Sequence, residues 1–252
     1  MTQERETALV ARGVTAGEKN AEKISFSFGR KGIHGILGPA GAGKGALLRR
    51  LAGIARGEGE ITLLGERVAP EATAVRARIG FVPECPVLDG EMTAMETLEF
   101  AGSAKGVAAE KKARQIEEAV VLLGLKDVRK RLVSRLGEGE RWRLALGVAL
   151  LGAPELLIFE NPTAGAEGEE KRERTELLRM LGKVKTVVLS TSRFAVAREL
   201  CEDVVLLSDG ALLATGSFEE LEETLASNGG ESSLEEIYRQ LCGRSRTEEV
   251  AE

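Results

Sequence analysis

Gly38-Pro39-Ala40-Gly41-Ala42-Gly43-Lys44-Gly45-Ala46 is the stretch on which the reading of this chain turns. It fits the phosphate-binding loop pattern G-x-x-x-x-G-K-[ST] at every place but the last. Where a hydroxyl should follow Lys44, the chain has Gly45. The pattern works by geometry. Successive backbone N–H groups point into a concave nest, and glycines let the backbone come close to phosphate. The following helix adds the positive end of its dipole. Lys44 reaches the outer phosphates as a point charge. The usual Ser or Thr holds Mg²⁺ through its hydroxyl, so with Gly45 that ligand is water or is absent.

The flanks give the loop its required context. Gly32 to Leu37 is a short apolar run that predicts a buried strand ending at Gly38. From Lys44 the pattern turns helical, with Leu47, Leu48, Leu51 and Ala52 on one face. Working outward, Ile24, Phe26 and Phe28 alternate with serines, which predicts a half-buried strand. Further strands are expected at 60–64, 79–82, 156–159 and 186–189. Val204 to Leu207 and Ala211 to Ala214 are joined by Ser-Asp-Gly, a hairpin signal. From Asp89 to about Arg135 the chain is charged and helical, with Ile116, Ala119, Val120 and Leu123 on one face and Gly124 as a stop. Another helix is expected around Arg141 to Leu151. Ser217 with Glu220, and Ser232 with Glu235, have capping-box spacing. Residues 244–252 are polar and expected to fray. Strands alternating with helices predict an α/β fold with a mostly parallel sheet.

Composition narrows the function. A formal charge of -5 argues against general nucleic-acid binding, which needs a basic face. Cys85, Cys201 and Cys242 have neither metal-ligand nor disulfide-framework spacing, which favours a reducing cytosol. The opening residues carry no signal-peptide pattern. The most apolar segment, Leu144 to Phe159, includes Pro154 and Glu155 and is too short to span a bilayer. His34 and Trp142 read as packing residues.

"IHGILGPAGAGKGALLRRLAG" resembles the opening of ATP-binding-cassette ATPases, the nucleotide-binding subunits of membrane transporters. The similarity continues in order. "IGFVPE" resembles the glutamine-loop strand, with Glu84 where Gln is usual. "RWRLALGVALLGAPELLIFENPTAG" is similar to the run from signature helix through second nucleotide motif. "KTVVLSTSRFAVARELCEDVVLLSDGALLATG" resembles the switch strand and closing hairpin, and "SSLEEIYRQLCG" the tail of the exporter-type subgroup. The match runs over roughly 7 to 243. It implies a P-loop NTPase (RecA-like) core at about 7–88 and 137–226, with an antiparallel β element. It also implies an inserted helical subdomain at about 89–136 and a helical tail at 227–252. The implied cofactors are ATP and Mg²⁺. The implied partners are an integral-membrane permease and a second ATPase subunit, identical or different, at the cytoplasmic face of the membrane.

The departures fall at chemical positions. The signature Leu-Ser-Gly-Gly-Gln maps onto Leu136-Gly137-Glu138-Gly139-Glu140. In the family this loop caps the γ-phosphate bound by the dimer partner. Glu138 sets a carboxylate there, and two unit charges about 5 Å apart at an effective dielectric of about 20 repel by roughly 3 kcal/mol. With the flanking glycines, Glu138 can also swing out to solvent. Asp-Glu-Pro-Thr becomes Glu160-Asn161-Pro162-Thr163. Glu160 keeps a carboxylate for a Mg²⁺-bound water, and Glu84 is a second candidate. Asn161 falls at the general-base position, where an amide has no basic oxygen to take a proton. The switch histidine maps onto Ser192, a residue that alone reads as a helix cap. The D-loop maps onto Ala166-Glu167, and the adenine-stacking aromatic expected between Val14 and Lys23 is missing. Three readings stay open: an ATP-binding subunit with weak or absent hydrolysis, a fully active transport ATPase, and a scaffold that uses no nucleotide.

Overall fold

The computed structural model describes residues 7–16, 22–227 and 233–248. Strands β1 (Thr7–Thr15), β2 (Lys23–Gly29), β4 (Glu60–Leu63) and β5 (Glu66–Arg67) form an antiparallel sheet in the order β2-β1-β4-β5. Strands β3 (Gly32–Leu37), β6 (Ile79–Val82), β7 (Leu156–Phe159), β8 (Thr186–Thr191), β9 (Asp203–Ser208) and β10 (Ala211–Ser217) form a second sheet. Its order is β10-β9-β3-β8-β7-β6, parallel throughout except for the β9–β10 hairpin. This is the α/β architecture expected, with a mostly parallel sheet and an antiparallel element beside it.

The parallel strands are apolar on both faces because both faces are covered. Ile36, Ile158, Val188 and Val205 point into a core shared with the antiparallel sheet and helix α1 (Lys44–Leu51). Their neighbours Leu37, Leu157, Val187 and Val204 point into a second core on the opposite face. That core takes in helices α3 (Ala94–Ala104), α4 (Ala109–Leu122), α5 (Glu138–Leu150), α6 (Gly168–Gly182) and α7 (Phe194–Leu200). A short helix α2 (Thr73–Arg76) precedes β6. Helices α8 (Phe218–Ser227) and α9 (Leu234–Glu248) follow β10.

Local chemistry explains several boundaries. Thr93 and Glu96 exchange side-chain and backbone hydrogen bonds and open α3 as a capping box. Gly124 stops α4 at a left-handed φ of 63°. Its N–H donates to Val121 and that of Leu125 to Val120, the paired bonds of a Schellman end. Ser217 caps Glu220 as expected. The second box differs. Ser232 lies outside the described residues, and Ser233 with Glu236 forms the cap. Of the stretch expected to fray, α9 includes residues up to Glu248, and 249–252 lie outside the described residues. The periodicity reading does not resolve β1, α6 or α7. β1 carries a bulge around Gly13 that breaks its alternation. α6 is mostly charged and buries only Arg174, Thr175, Leu178, Leu181 and Gly182.

Candidate nucleotide site

The loop after β3 enters α1 through Gly43, whose φ of 86° is left-handed. A Cβ there would meet the Ala16 carbonyl at 1.7 Å, so only glycine fits. Lys44 is held inward, donating to the carbonyls of Gly38 at 2.8 Å and Pro39 at 2.5 Å. Burial pushes its ammonium below the ordinary lysine value, against opposing pulls from Cys242 and Glu84. An anion in the nest would relieve that cost.

The loop shares a cavity of about 760 Å³ with Glu84, Glu160, Asn161 and Ser192. These residues follow β3, β6, β7 and β8, so the cavity lies off the carboxyl ends of the parallel strands. Ligands bind in that position in open α/β sheets. Asn161 has a left-handed φ of 42°, a conformation that Asn tolerates better than most side chains. Its N–H donates to Ser190 Oγ at 3.2 Å. Ser192 is not a helix cap, because Arg193 holds the N-cap position of α7. The Ser192 carbonyl instead accepts from the Tyr238 hydroxyl at 2.7 Å, which ties α9 to the loop after β8.

The signature residues are not in this cavity. Gly137 to Glu140 form the start of α5, beside a second cavity of about 600 Å³ whose lining includes Glu84 and Glu138. Glu140 turns back to accept from the Gly137 N–H at 2.8 Å and pairs with Arg131 at 3.1 Å. Glu138 lies exposed and folds toward its own D-loop, where a Cβ on Gly165 would sit 2.6 Å from Glu138 Oε1. This helix N-terminus, a natural anion site, is therefore already faced by the chain's own carboxylates.

Three residues that sequence reasoning missed organise the surroundings. Arg49 Nη2 lies 3.1 Å from Glu160 Oε1. Arg174 is buried, pairs with Glu170 at 2.5 Å and donates to the carbonyls of Pro162 and Ala164. Tyr238 packs on Phe194. Arg49 follows Gly45 at i+4, and that helical spacing was the available signal. His34 and Trp142 are buried packing residues, His34 stacked on Phe28 and Trp142 on Phe159.

The Mg²⁺ ion implied by the resemblance would lack its usual hydroxyl ligand here, with Glu160 already ion-paired. Gly45 offers no hydroxyl. A Cβ added at Gly45 would lie 3.3 Å from Glu160 Oε1 and 3.7 Å from Arg49 Nη2, so the ion pair fills the space beside it.

Residues 21–164 match the family model described as ABC transporter. A daunorubicin resistance ATP-binding protein of Streptomyces coeruleorubidus is 32% identical over 231 residues, 90% of this chain and 72% of that protein. A Nod factor export ATP-binding protein I of Bradyrhizobium diazoefficiens is 37% identical over 202 residues, 77% of this chain and 64% of that protein. Among solved structures, an ATP-binding subunit of an ABC transporter superposes with a TM-score of 0.81 at 24% identity, over 93% of this chain and 99% of that one. A dimeric ATP-binding cassette bound to ADP and Pi superposes at 0.74 with 23% identity, over 83% and 98%.

Proposed function

This chain belongs to the ABC transporter family as an ATP-binding subunit, and from that premise we propose that it binds ATP but hydrolyses it slowly or not at all. One observation carries the reading. A phosphate cradle built around Gly43 and Lys44 opens onto Asn161, which has no basic oxygen for attacking water. In this scheme Lys44 and the loop N–H groups hold the phosphates. Asn161 orients water without taking its proton. Ser192 lacks the imidazole that would reach the γ-phosphate.

The same proposal gives the chain its partners. A second ATPase subunit, identical or different, faces the cavity with its own signature loop. A membrane-embedded permease docks against the helical subdomain at about 89–136, between core segments at about 7–88 and 137–226 and ahead of the tail at 227–252. Phe100, 63% exposed, supplies apolar surface for that contact, with Val87, 97% exposed, just ahead of the subdomain. Among the described residues no helix is long and apolar enough to cross a membrane. The proposed seat is the cytoplasmic face of the membrane, and the proposed direction of transport is export, as in the name of the Nod factor relative.

ATP binding is tested by thermal unfolding. At a hundredfold excess over Kd, ATP should stabilise the chain by about 2.7 kcal/mol. Lys44→Ala should abolish the shift. No shift in the natural chain at millimolar ATP would favour the nucleotide-independent scaffold.

A further inference from the structure

We infer that Arg49 stands in for the divalent cation, so that this chain binds ATP as the free anion with no need of Mg²⁺. The inference rests on the ATP-binding reading above and deepens it. Glu160 is only 10% exposed at its side chain and faces the phosphate cavity. An unpaired carboxylate there would be costly and would repel a triphosphate. Arg49 supplies the compensating charge at 3.1 Å. The contact is electrostatic, since Glu160 Oε1 has no aligned hydrogen-bond donor. The guanidinium therefore keeps its remaining N–H donors for other acceptors, and phosphate oxygens suit its planar fork.

Gly45 completes the argument. The hydroxyl that would join Glu160 in holding a metal is absent, and the two terminal nitrogens of the Arg49 guanidinium lie within 3.8 Å of where a Cβ at position 45 would be. A cation is present, but it is a side chain. With Lys44 at the loop and Arg49 a little over one helical turn on, two positive side chains line the cavity. A surface ion pair of this length is ordinarily weak. Here one partner is nine-tenths buried, and the exposed partner lines the cavity.

The test is fluorescence anisotropy of N-methylanthraniloyl-ATP with the full chain, in excess EDTA and in excess Mg²⁺. The natural chain should bind in EDTA with a Kd within about threefold of that in Mg²⁺. Arg49→Met keeps the stem and removes the charge. It should weaken binding in EDTA at least about tenfold, and Mg²⁺ should then restore part of it. Arg49→Lys should keep most of the metal-independent affinity. If Mg²⁺ tightens the natural chain by more than about tenfold, the inference is wrong. It is equally wrong if Arg49→Met binds in EDTA as the natural chain does. Should Arg49→Met fail to fold by circular dichroism, the natural chain and Arg49→Lys decide the matter. Absence of binding in both buffers defeats the ATP-binding reading itself, and the inference with it.

Discussion

The guanidinium of Arg174 lies over the ring of Trp142, 4.8 Å from its centroid. This contact joins α6 to α5, the helix that begins at the signature residues. Arg174 also holds Glu170 and the carbonyls of Pro162 and Ala164, just past Asn161. One buried side chain thus fixes the signature helix against the end of the second nucleotide motif. Arg174→Ala should destabilise the chain by about 3 kcal/mol, because it strands a half-buried carboxylate and two carbonyls. Arg174→Lys should recover less than half of that, since an ammonium cannot fork or stack as well. Urea unfolding at neutral pH measures both.

Lys105 gives a pH-dependent prediction. Its ammonium donates to the carbonyls of Val148, Ala149 and Leu151 and so closes the C-terminal end of α5. Burial pushes it down to about 8. The unfolded chain holds this proton until about pH 10.4. Between those values the unfolded state binds more protons, so this group adds stability as pH rises, by up to about 3 kcal/mol. That contribution is lost as pH falls toward 8. Lys105→Met should therefore cost more at pH about 9.5 than at about 7.5 when stabilities are compared by urea titration. An equal cost at both pH values would contradict the assignment.

Tyr238 anchors α9 through its hydrogen bond to the Ser192 carbonyl and its packing on Phe194. Tyr238→Phe keeps the packing and should cost about 1 kcal/mol, the net worth of one hydrogen bond. Tyr238→Ala should cost about 3 kcal/mol or more. Thermal unfolding separates the two.

Much of this architecture is legible in the sequence because its signals are local. The loop from Gly38 to Gly45 announces itself by glycine spacing between an apolar run and a helical pattern. The strands β3, β7 and β8 read as short apolar runs since both of their faces are covered. What was not legible is carried by pairs distant in sequence. Nothing near Arg49 indicates Glu160, and nothing near Trp142 indicates Arg174. β1 escaped because Gly13 and its bulge disturb the alternation. The Ser233 cap escaped because two adjacent serines each have a glutamate three residues on, and spacing alone cannot choose between them.

Glu138 gives a prediction about assembly. It stands with Glu140 in the first turn of α5, which in the proposed dimer meets a partner's γ-phosphate. Glu138→Gly removes one negative charge there. If the repulsion is about 3 kcal/mol, ATP-dependent dimerisation should strengthen about a hundredfold. Sedimentation equilibrium with ATP reads the change directly, and an unchanged dimer constant would place Glu138 outside the contact.

In the proposed function the fold is competent and the natural residues restrain turnover. Losing a positioned general base typically costs about 10² to 10⁴ in rate. The direct measurement is steady-state ATP hydrolysis by the natural chain and by one carrying Gly45→Ser, Glu138→Gly, Glu160→Asp, Asn161→Glu and Ser192→His together. The natural rate should lie well below one turnover per second and the repaired rate at least about a hundredfold higher. A natural chain that already turns over about once per second or faster would contradict it.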